Sequence, residues 1–207
     1  MSAEVLRQHI HEAGILDPEG VHHGFAGGMH GRKLDFDSIP DYSPLFWEWV
    51  DVAAEAISTT YSVREYGELV VLSVANGTNR LVPHIVECLG THATALLTKK
   101  ISPKAVRLTD ESRKAIQSID PDLVVALEDV GTAGTTSATA VVSAREAGAR
   151  KVVVMNTWQR RQRLERLEEI SADYTSIINE LLPTFAPDEC RRVGYCAVGW
   201  EYIEHGQ

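Results

Sequence analysis

Two acidic residues stand between an apolar run and a loop of glycine and threonine. Glu128 and Asp129 follow the apolar residues 123–127 and precede the sequence G-T-A-G-T-T at positions 131–136. Glycines let backbone N–H groups approach a phosphate closely, and threonine hydroxyls add further donors. Ionised carboxylates instead accept hydrogen bonds from hydroxyl groups. A ligand that carries both a phosphate and neighbouring hydroxyls, such as a phosphorylated sugar, satisfies both halves of this pattern.

The position of the loop agrees with that chemistry. A helix is predicted directly behind it, at residues 137–147, and ligands of open α/β sheets lie beyond the carboxyl ends of the strands. The free N–H groups of a helix N-terminus attract a phosphate there. No lysine follows Gly134 as in a P-loop, and the spacing differs from the G-x-G-x-x-G dinucleotide fingerprint. The alternative is purely structural: two acids that end a strand and glycines that turn the chain.

At these residues the sequence resembles the type I phosphoribosyltransferases, which bind 5-phosphoribosyl 1-pyrophosphate (PRPP) with two acidic residues and a Gly/Thr loop. The T-A-G-T at positions 132–135 looks most like the orotate phosphoribosyltransferase branch. The resemblance implies that Glu128 and Asp129 hold the ribose hydroxyls, and it makes Asp129 a catalytic candidate. The residues implied around the 5-phosphate are Gly131, Thr132, Ala133, Gly134, Thr135 and Thr136.

Two further segments match the family, so that the resemblance covers about residues 22–155. The sequence S-V-A-N-G-T-N-R at 73–80 stands where the family places its pyrophosphate-binding loop. The PRPP contacts implied there are Ala75, Asn76 and Gly77. Residues 25–37 are similar to the N-terminal segment that lies beside the base in the orotate branch, with A-G-G in place of the family's Lys-Ser-Gly.

Basic residues follow the second predicted strand, where orotate-type enzymes carry their catalytic loop. The resemblance implies Lys100 and Lys104 as catalytic residues, and Lys99 and Lys100 as PRPP contacts. No His-Gly follows these lysines, which departs from the family pattern. We predict a long mobile loop at residues 99–118. The alternative is a solvated basic turn, because lysine is usually exposed.

The same resemblance supplies candidates for the base-binding residues, which are Arg32, Phe36, Trp158 and Arg160. Arg160 has the charge to pair with a carboxylate on the base, and Trp158 has a ring that can stack on it. The family's Asp-Arg pair is absent from residues 155–160. The implied reaction is Mg²⁺-dependent transfer of ribose 5-phosphate from PRPP to a nitrogenous base, with orotate as the leading base. The Mg²⁺ is expected to arrive with PRPP.

Other interpretations of the same residues stay open. One is a non-catalytic, PRPP-binding regulatory protein of the same fold. The others are a phosphoribosyltransferase for another base and a different sugar-phosphate binder on a doubly wound sheet.

The histidines and cysteines form no metal motif in the sequence. His22, His23 and His30 lack the i, i+4 spacing of zinc ligands on a helix. Cys190 and Cys196 belong to no C-x-x-C pair, which argues against zinc. The sequence therefore predicts no metal bound directly by the protein.

Composition and charge bound the function. The 207 residues are 44% hydrophobic and 24% charged, and the net charge of −9 disfavours binding to nucleic acids or acidic membranes. No apolar run approaches the roughly 18 residues of a membrane span. The charged first residues and three cysteines without a C-x-x-C pair predict a cytoplasmic protein. The expected partners are PRPP and a nucleobase, and the resemblance implies a homodimer.

The predicted elements place these residues in an α/β fold. The strand, loop, helix, strand unit at 123–155 predicts a mainly parallel sheet flanked by helices, like that of the type I phosphoribosyltransferases, with a small N-terminal hood lobe. We expect one domain with three parts: a hood and helix at 1–60, a PRPP-binding core at 61–155 and a C-terminal extension at 156–207. Further helices are predicted at 4–13, 44–57, 79–89 and 170–182, and strands at 69–74, 93–98 and 195–203.

Overall fold

The computed structural model describes residues 2–25, 29–61, 67–74 and 76–204. Helices and strands alternate through the middle of the chain, as the sequence pattern predicts. In chain order the elements are α1 (Ala3–Glu12), β1 (Val21–Gly24), β2 (His30–Gly31), a 3₁₀ turn (Phe36–Ser38), α2 (Pro44–Thr60), β3 (Leu69–Ser73), α3 (Asn76–Asn79), α4 (Val82–Leu89), β4 (Ala93–Leu96), β5 (Thr98–Ser102), β6 (Ala105–Leu108), α5 (Asp110–Ile119), β7 (Leu123–Gly131), α6 (Thr135–Glu146), β8 (Val152–Gln159), α7 (Glu165–Glu169), β9 (Asp173–Ile178), β10 (Thr184–Phe185), α8 (Pro187–Val193) and β11 (Glu201–Ile203).

Five parallel strands form the central sheet, in the order β4-β3-β7-β8-β9. β7 lies in the middle of this sheet, where Val124 is in register with Val70 of β3 and Val152 of β8. Every residue of β3 and β8 is buried. Burial on both faces is what a parallel sheet covered by helices requires. The architecture confirms the predicted α/β fold class.

Neighbouring strand residues point into two different hydrophobic layers. Val71 packs in one layer with Trp49 of α2. Val70 packs in the other with Ile116 of α5 and Val141 of α6. Successive side chains of a strand point to opposite faces, so a continuous apolar run in the sequence supplies both layers. Burial of this apolar surface is the main favourable term in the stability of the fold.

The first two helices, α1 and α2, form where the local sequence predicts them. Ser43 precedes α2, and its Oγ accepts a hydrogen bond from the backbone N–H of Phe46 at 3.2 Å. Pro44 follows as the first helical residue, where its missing N–H costs nothing. Gly14, with a φ of +70°, follows α1, because a residue without Cβ adopts this conformation readily.

Residues 99–118 do not form the predicted mobile loop. β5 and β6 pair as an antiparallel hairpin, and α5 follows it. Val106 and Leu108 of β6 are buried in the same layer as α6, and the N–H of Val106 donates to Thr139 Oγ1 at 3.0 Å. The prediction is wrong because it followed the polar composition and overlooked the alternation of buried and exposed residues along β6.

The helix predicted at residues 170–182 is also wrong. The chain forms a helix only at α7, and it then continues as β9, in which Asp173 is in register with Val153 of β8. Thr175, Ile177 and Ile178 are β-branched, which favours a strand over a helix. The open edge of the sheet beside β8 gives this segment its hydrogen-bonding partner.

β7 and β8 both extend further than predicted. Their pairing continues to Gly131, which is in register with Gln159. Glu128 and Asp129 therefore lie within β7 and not behind it. The end of β8 carries Trp158 into the buried interior of the fold.

A second, four-stranded sheet has the order β10-β2-β1-β11. β1 and β2 come from the predicted hood, whereas β10 and β11 come from the predicted C-terminal extension. Only Glu201–Ile203 of the strand predicted at 195–203 is extended, because a turn occupies residues 195–199. The two ends of the chain thus meet in one sheet. Within the described residues, no helix is long and apolar enough to cross a membrane.

Candidate active site

The two acidic residues of β7 point to opposite faces of the central sheet, as successive strand residues do. Glu128 faces α6, where Ser137 Oγ donates a hydrogen bond to Glu128 Oε2. Asp129 faces α3, and a Cβ on Gly77 would clash with its carboxylate. The two carboxylates therefore lie on opposite faces of the sheet, near the carboxyl end of β7.

Glu128 is almost fully buried, with 9% of its surface exposed. Burial raises the pKa of Glu128 to about 8, against the hydrogen bond from Ser137, and the charge of Asp129 adds to the rise. The carboxyl group is thus poised between its neutral and ionised forms near pH 7. A ligand that donates hydrogen bonds to Glu128 would favour the ionised form.

The pKa of Asp129 is also raised, but by less than that of Glu128. Burial raises the pKa of Asp129 to about 6, and the charge of Asp37 adds to the rise. The backbone N–H of Val130, which donates to Asp129 Oδ1 at 2.7 Å, opposes it. A strand end that holds two desolvated carboxylates is costly to the folded protein, which is typical of functional sites.

The segment that the sequence relates to a pyrophosphate-binding loop docks beside Asp129. Thr78 Oγ1 donates to the carbonyl of Leu127 at 2.9 Å, and the N–H of Val74 donates to the same carbonyl at 2.8 Å. These bonds place Gly77 against Asp129. Asn76 begins α3. The predicted contact at residue 75 lies outside the described residues.

The loop before α6 leaves a helix N-terminus open. Gly134 is the N-cap, with a φ of +72°, and none of the described side chains caps the helix. The first N–H groups of α6 therefore have no partner within the helix. Two glycines allow this close turn: a Cβ on Gly131 would lie 2.6 Å from Asn156, and one on Gly134 would lie 2.8 Å from Leu167.

A cavity of about 380 Å³ opens at this end of the sheet. Its lining combines the loop before α6 with residues from both ends of the chain and from the β5–β6 hairpin. The lining residues are Phe25, Met29, Lys104, Glu128, Val130, Thr132, Ala133, Gly134, Thr135, Thr136, Arg160, Arg161 and Thr184. The lining combines the loop before α6, the carboxyl group of Glu128 and the guanidinium groups of Arg160 and Arg161.

Only one of the three predicted lysines reaches this cavity. Lys104 lies in the turn of the β5–β6 hairpin and lines the cavity wall. Lys99 and Lys100 are exposed on β5, outside the lining. The hairpin, whose turn is residues 103 and 104, decides which side chain points inward. Asp129 and Gly131 do not line the cavity: Asp129 lies against Gly77, and Gly131 lies against Asn156.

Arg160 is the most buried cation of the cavity wall, with 6% of its surface exposed. Its Nη2 donates to the carbonyl of Arg32 at 2.6 Å, and its guanidinium carbon lies 5.0 Å from the ring centre of Phe25. Its Nε has no hydrogen-bond partner among the described residues. Burial lowers the pKa of Arg160 to about 10, although the group stays charged at neutral pH. A buried cation with an unpaired donor favours an anionic ligand.

The other three predicted base-binding residues lie elsewhere. Arg32 uses its guanidinium to donate to the carbonyl of Asp17, at 3.1 Å from Nε. Phe36 is buried against Trp49, with 4.6 Å between ring centres. Trp158 is fully buried in the hydrophobic core, and its Nε1 donates to the carbonyl of Glu180 at 2.9 Å. Neither ring is available to stack on a ligand, because each is part of the core that β8 and α2 build.

Five residues of the cavity are missing from the sequence prediction: Phe25, Met29, Val130, Arg161 and Thr184. Arg161 Nη2 donates to Thr184 Oγ1 at 2.8 Å, which ties the end of β8 to the second sheet. The sequence places Arg161 in a mixed run of charges that is typical of a solvated helix. The position next to Arg160, directly after a buried strand, is the signal that could have identified it.

Comparison with known proteins gives results at the level of structure only. No protein-family model matches the chain, and no curated protein sequence matches it. Among solved structures, orotate phosphoribosyltransferase from Aeropyrum pernix superimposes with a TM-score of 0.58 and 17% identity, over 84% of this chain and 93% of that one. The fold is that of the type I phosphoribosyltransferases.

Two further structures with this fold hold ligands. The orotate phosphoribosyltransferase of Mycobacterium tuberculosis H37Rv in complex with PRPP has a TM-score of 0.59 and 18% identity, over 86% of this chain and 94% of that one. The adenine phosphoribosyltransferase of Saccharomyces cerevisiae, complexed with an imino-altritol bisphosphate and adenine, has a TM-score of 0.59 and 15% identity, over 84% and 99% of the two chains. Enzymes for different bases thus share this architecture.

Proposed function

We propose that this protein is a phosphoribosyltransferase, which moves ribose 5-phosphate from PRPP to a ring nitrogen of a base and releases pyrophosphate. The observation that carries the proposal is one cavity bordered by an open helix N-terminus, a buried carboxylate and a buried guanidinium. These groups are complementary to a phosphate, to sugar hydroxyls and to an anionic ring. The PRPP complex of a protein with the same fold supports the proposal.

The residues of the chain act mainly by holding the reactants in place. The N–H groups at residues 132–136 would bind the 5-phosphate, and Glu128 and Asp129 would accept hydrogen bonds from the ribose hydroxyls. The ribose carbon develops positive charge as pyrophosphate leaves, so positioning and charge stabilisation supply most of the catalysis. Lys104, which lines the cavity, would stabilise the departing pyrophosphate.

Mg²⁺ fits this site by its donor chemistry. Burial raises the pKa of Asp129 to about 6, and the charge of Asp37 adds to the rise. Both residues carry carboxylate oxygens, which are the ligands that Mg²⁺ prefers. When bound together with PRPP, Mg²⁺ would supply charge neutralisation of the pyrophosphate leaving group. We propose that the ion arrives with PRPP.

We propose orotate as the acceptor base. Arg160 is a buried cation with an unpaired Nε in the cavity wall, and orotate carries a carboxylate that such a guanidinium can bind. Arg161 lies beside it and adds a second positive charge. Phe25 and Met29 provide apolar surface for a planar ring at the same end.

A turnover assay tests the proposal directly. The purified chain is incubated with PRPP, Mg²⁺ and one base at a time from a panel of orotate, uracil, adenine and hypoxanthine. Pyrophosphate release and nucleotide formation are measured together. We expect both with orotate, in equal amounts. Absence of nucleotide with every base would contradict the transferase proposal, and nucleotide from another base alone would contradict orotate.

The variant Arg160→Gln tests the base end of the cavity. Loss of a charge-assisted hydrogen bond of about 1.5–3 kcal/mol would raise the KM for orotate by roughly tenfold to a hundredfold. The affinity for PRPP, measured by calorimetry, should change little. Arg163→Gln is the matched control, because Arg163 is exposed and pairs with Glu168 outside the cavity. An equal loss in both variants would refute the role of Arg160.

A non-catalytic PRPP-binding protein is the second candidate. The observation that favours it is the exposure of Lys99 and Lys100, which leaves Lys104 as the one lysine among the described residues that line the cavity. Such a protein would bind PRPP with micromolar or tighter affinity and form no nucleotide with any base. Calorimetry and the turnover assay on the same preparation separate the two functions.

The proposal includes a role in pyrimidine biosynthesis, a cytoplasmic location and a homodimer. Light scattering coupled to size exclusion tests the homodimer.

A further inference from the structure

The second sheet and the turn after α8 bring together two histidines and two cysteines that are far apart in sequence. His22 lies on β1 and His30 on β2, while Cys190 lies on α8 and Cys196 in the turn that follows it. One ligand atom from each of the four residues lies within 4.8 Å of the other three. The four ligand atoms therefore converge where the N-terminal and C-terminal parts of the chain meet.

We propose that His22, His30, Cys190 and Cys196 form a tetrahedral Zn²⁺ site. Two imidazoles and two thiolates are a common donor set of structural zinc sites, which have four protein ligands and no open position. Soft thiolate ligands with imidazoles select zinc over Mg²⁺ or Ca²⁺. With two thiolates and two neutral imidazoles, a bound Zn²⁺ would make the buried site electrically neutral.

The distances fit such a tetrahedron. Zn–S and Zn–N bonds of about 2.3 and 2.0–2.1 Å give tetrahedral edges of about 3.3–3.8 Å between ligand atoms. His22 Nε2 lies 3.2 Å from Cys196 Sγ, and His30 Nδ1 lies 3.5 Å from the same sulfur. A small movement of the side chains would therefore close the site around an ion.

The surroundings also fit a zinc site. The backbone N–H of Cys196 donates to Cys190 Sγ at 3.3 Å, a contact that stabilises a thiolate. Cys190 and His22 are fully buried. The ring of Tyr202 covers the histidines, with its centre 5.3 Å from that of His22 and 4.8 Å from that of His30.

His22 is a buried imidazole whose ring nitrogens have weak side-chain partners. Its Nδ1 has no hydrogen-bond partner among the described residues, and its Nε2 contacts the sulfur of Cys196. A sulfur atom is only a weak hydrogen-bond partner, so burial of this ring is poorly compensated. A bond from Nε2 to Zn²⁺ would replace the weak contact with sulfur by a strong one.

The C-terminal segment needs such a link because it has almost no hydrophobic core. Within residues 183–204, all of which the structure describes, only Cys190 and Gly194 are buried. Val193 and Val198 are 57% and 68% exposed. Small segments that bury little apolar surface commonly depend on a metal or a disulfide for stability. The metal would fix this segment against β1 and β2.

The proposed zinc site lies next to residues that line the cavity. Thr184 of β10 pairs with Gly31, next to His30, and it lines the cavity together with Met29. A bound Zn²⁺ would therefore hold one wall of the cavity in place, while the reacting groups lie on β7 and the loop before α6. We assign the ion a structural role.

Metal titration of the full chain tests the site. The protein is purified under reducing conditions, stripped with a chelator and titrated with Co²⁺ and then with Zn²⁺. We expect one equivalent of Co²⁺ to give the visible bands of a tetrahedral ion and a thiolate-to-cobalt charge-transfer band, both removed by one equivalent of Zn²⁺. The absence of stoichiometric Co²⁺ and Zn²⁺ uptake, an octahedral spectrum, or a Cys190–Cys196 disulfide in the purified protein would each overturn the proposal.

Three variants locate the ion. Cys196→Ser and His30→Ala, both at partly exposed ligands, should abolish the charge-transfer band or stoichiometric binding. Cys88→Ser is the matched control, because Cys88 is an exposed cysteine on α4 and should leave one equivalent bound. Unchanged binding in Cys196→Ser would overturn the assignment. If a variant misfolds, as judged by circular dichroism, the wild-type titration still decides.

Limited proteolysis of the wild-type chain supplies an independent readout. Added Zn²⁺ should protect residues 183–204 from cleavage several-fold relative to the metal-free chain. Equal cleavage with and without Zn²⁺ would overturn the proposed link between the ion and this segment. None of these readouts depends on the proposed transferase activity.

Discussion

At the scale of single residues, the carboxylates of β7 combine poor solvation with a strand-end position. Burial raises the pKa of Glu128 to about 8 and that of Asp129 to about 6. A polar ligand that donates hydrogen bonds compensates the lost solvation, which an apolar ligand would not do. In the proposed function, hydrogen bonds from the ligand would offset the cost of burying these carboxylates.

The first prediction at this scale concerns the pH dependence of PRPP binding. In the proposed function the ionised carboxylates would accept hydrogen bonds from the ribose hydroxyls. Binding should therefore release protons and strengthen as pH rises from about 6 to 8. Each proton released contributes up to about tenfold in affinity per pH unit. Calorimetry in buffers of different ionisation enthalpy measures both quantities.

The double variant Glu128→Gln, Asp129→Asn is the control for that experiment. It retains the pH dependence of the phosphates of PRPP itself and loses the part that the carboxylates contribute. If the affinity of the double variant for PRPP changes with pH as steeply as that of the wild type, these two groups do not bind the ribose hydroxyls.

The second residue-scale prediction concerns stability without ligand. The folded protein holds the proton of Glu128 up to a pH of about 8, while an unfolded chain loses it near the ordinary glutamate value of about 4.3. Stability should therefore fall as pH rises between these values, because the folded state binds more protons there. Glu128→Gln removes this cost and should raise the Tm at pH 8 by a few degrees, at roughly 2–4 °C per kcal/mol.

Scanning fluorimetry at pH 5 and pH 8 measures this effect. Glu19→Gln is the control, because Glu19 is an exposed glutamate far from β7 in sequence. A Tm difference for Glu128→Gln that is the same at both pH values would contradict the argument from the buried charge. The same variant should bind PRPP more weakly, which separates stability from function.

At the scale of elements, the β5–β6 hairpin decides which lysine serves the cavity. The hairpin is fixed by buried Val106 and Leu108, and its two-residue turn carries Lys104 to the cavity wall. Lys99 and Lys100 point to solvent along β5. Residues on turns are generally more mobile than residues on strands, which favours Lys104 for contact with a ligand.

The prediction at this scale compares two lysines of one hairpin. Lys104→Gln should lower kcat for nucleotide formation by roughly tenfold to a hundredfold, since it removes a charge that stabilises the leaving pyrophosphate. Lys100→Gln should have a much smaller effect. Steady-state kinetics with PRPP and orotate measure both, and Lys114→Gln on α5 controls for the change in surface charge. A larger loss in Lys100→Gln would mean that the hairpin rearranges when ligand binds.

At the scale of the whole molecule, the two chain ends are part of the site. β1 and β2 pair with β10 and β11, although more than 150 residues separate Gly24 from Thr184. Phe25 and Thr184 line the cavity from these two ends. In the proposed function, the second sheet therefore contributes residues beside the base, and the central sheet contributes residues beside the phosphate.

Local pattern in the sequence predicted the elements that depend on local physics. The cap and proline at Ser43 and Pro44 predicted α2, and the apolar runs predicted β3 and the first part of β7, because caps and periodicity are short-range properties. The Gly/Thr loop predicted an open helix N-terminus for the same reason. β9 was mistaken for a helix because pairing with β8, a contact with a distant segment, decided its conformation.

The sequence by itself determined the α/β fold and the pairing of two acids with a Gly/Thr loop, since each is encoded within a few consecutive residues. Only the tertiary structure determined which residues, distant in sequence, lie close together. It placed Arg160 and Lys104 in the cavity, buried Trp158 in the core, and brought His22 and His30 to Cys190 and Cys196. The physical reason is that such contacts depend on how the whole chain folds, which cannot be deduced from the spacing of residues in the sequence.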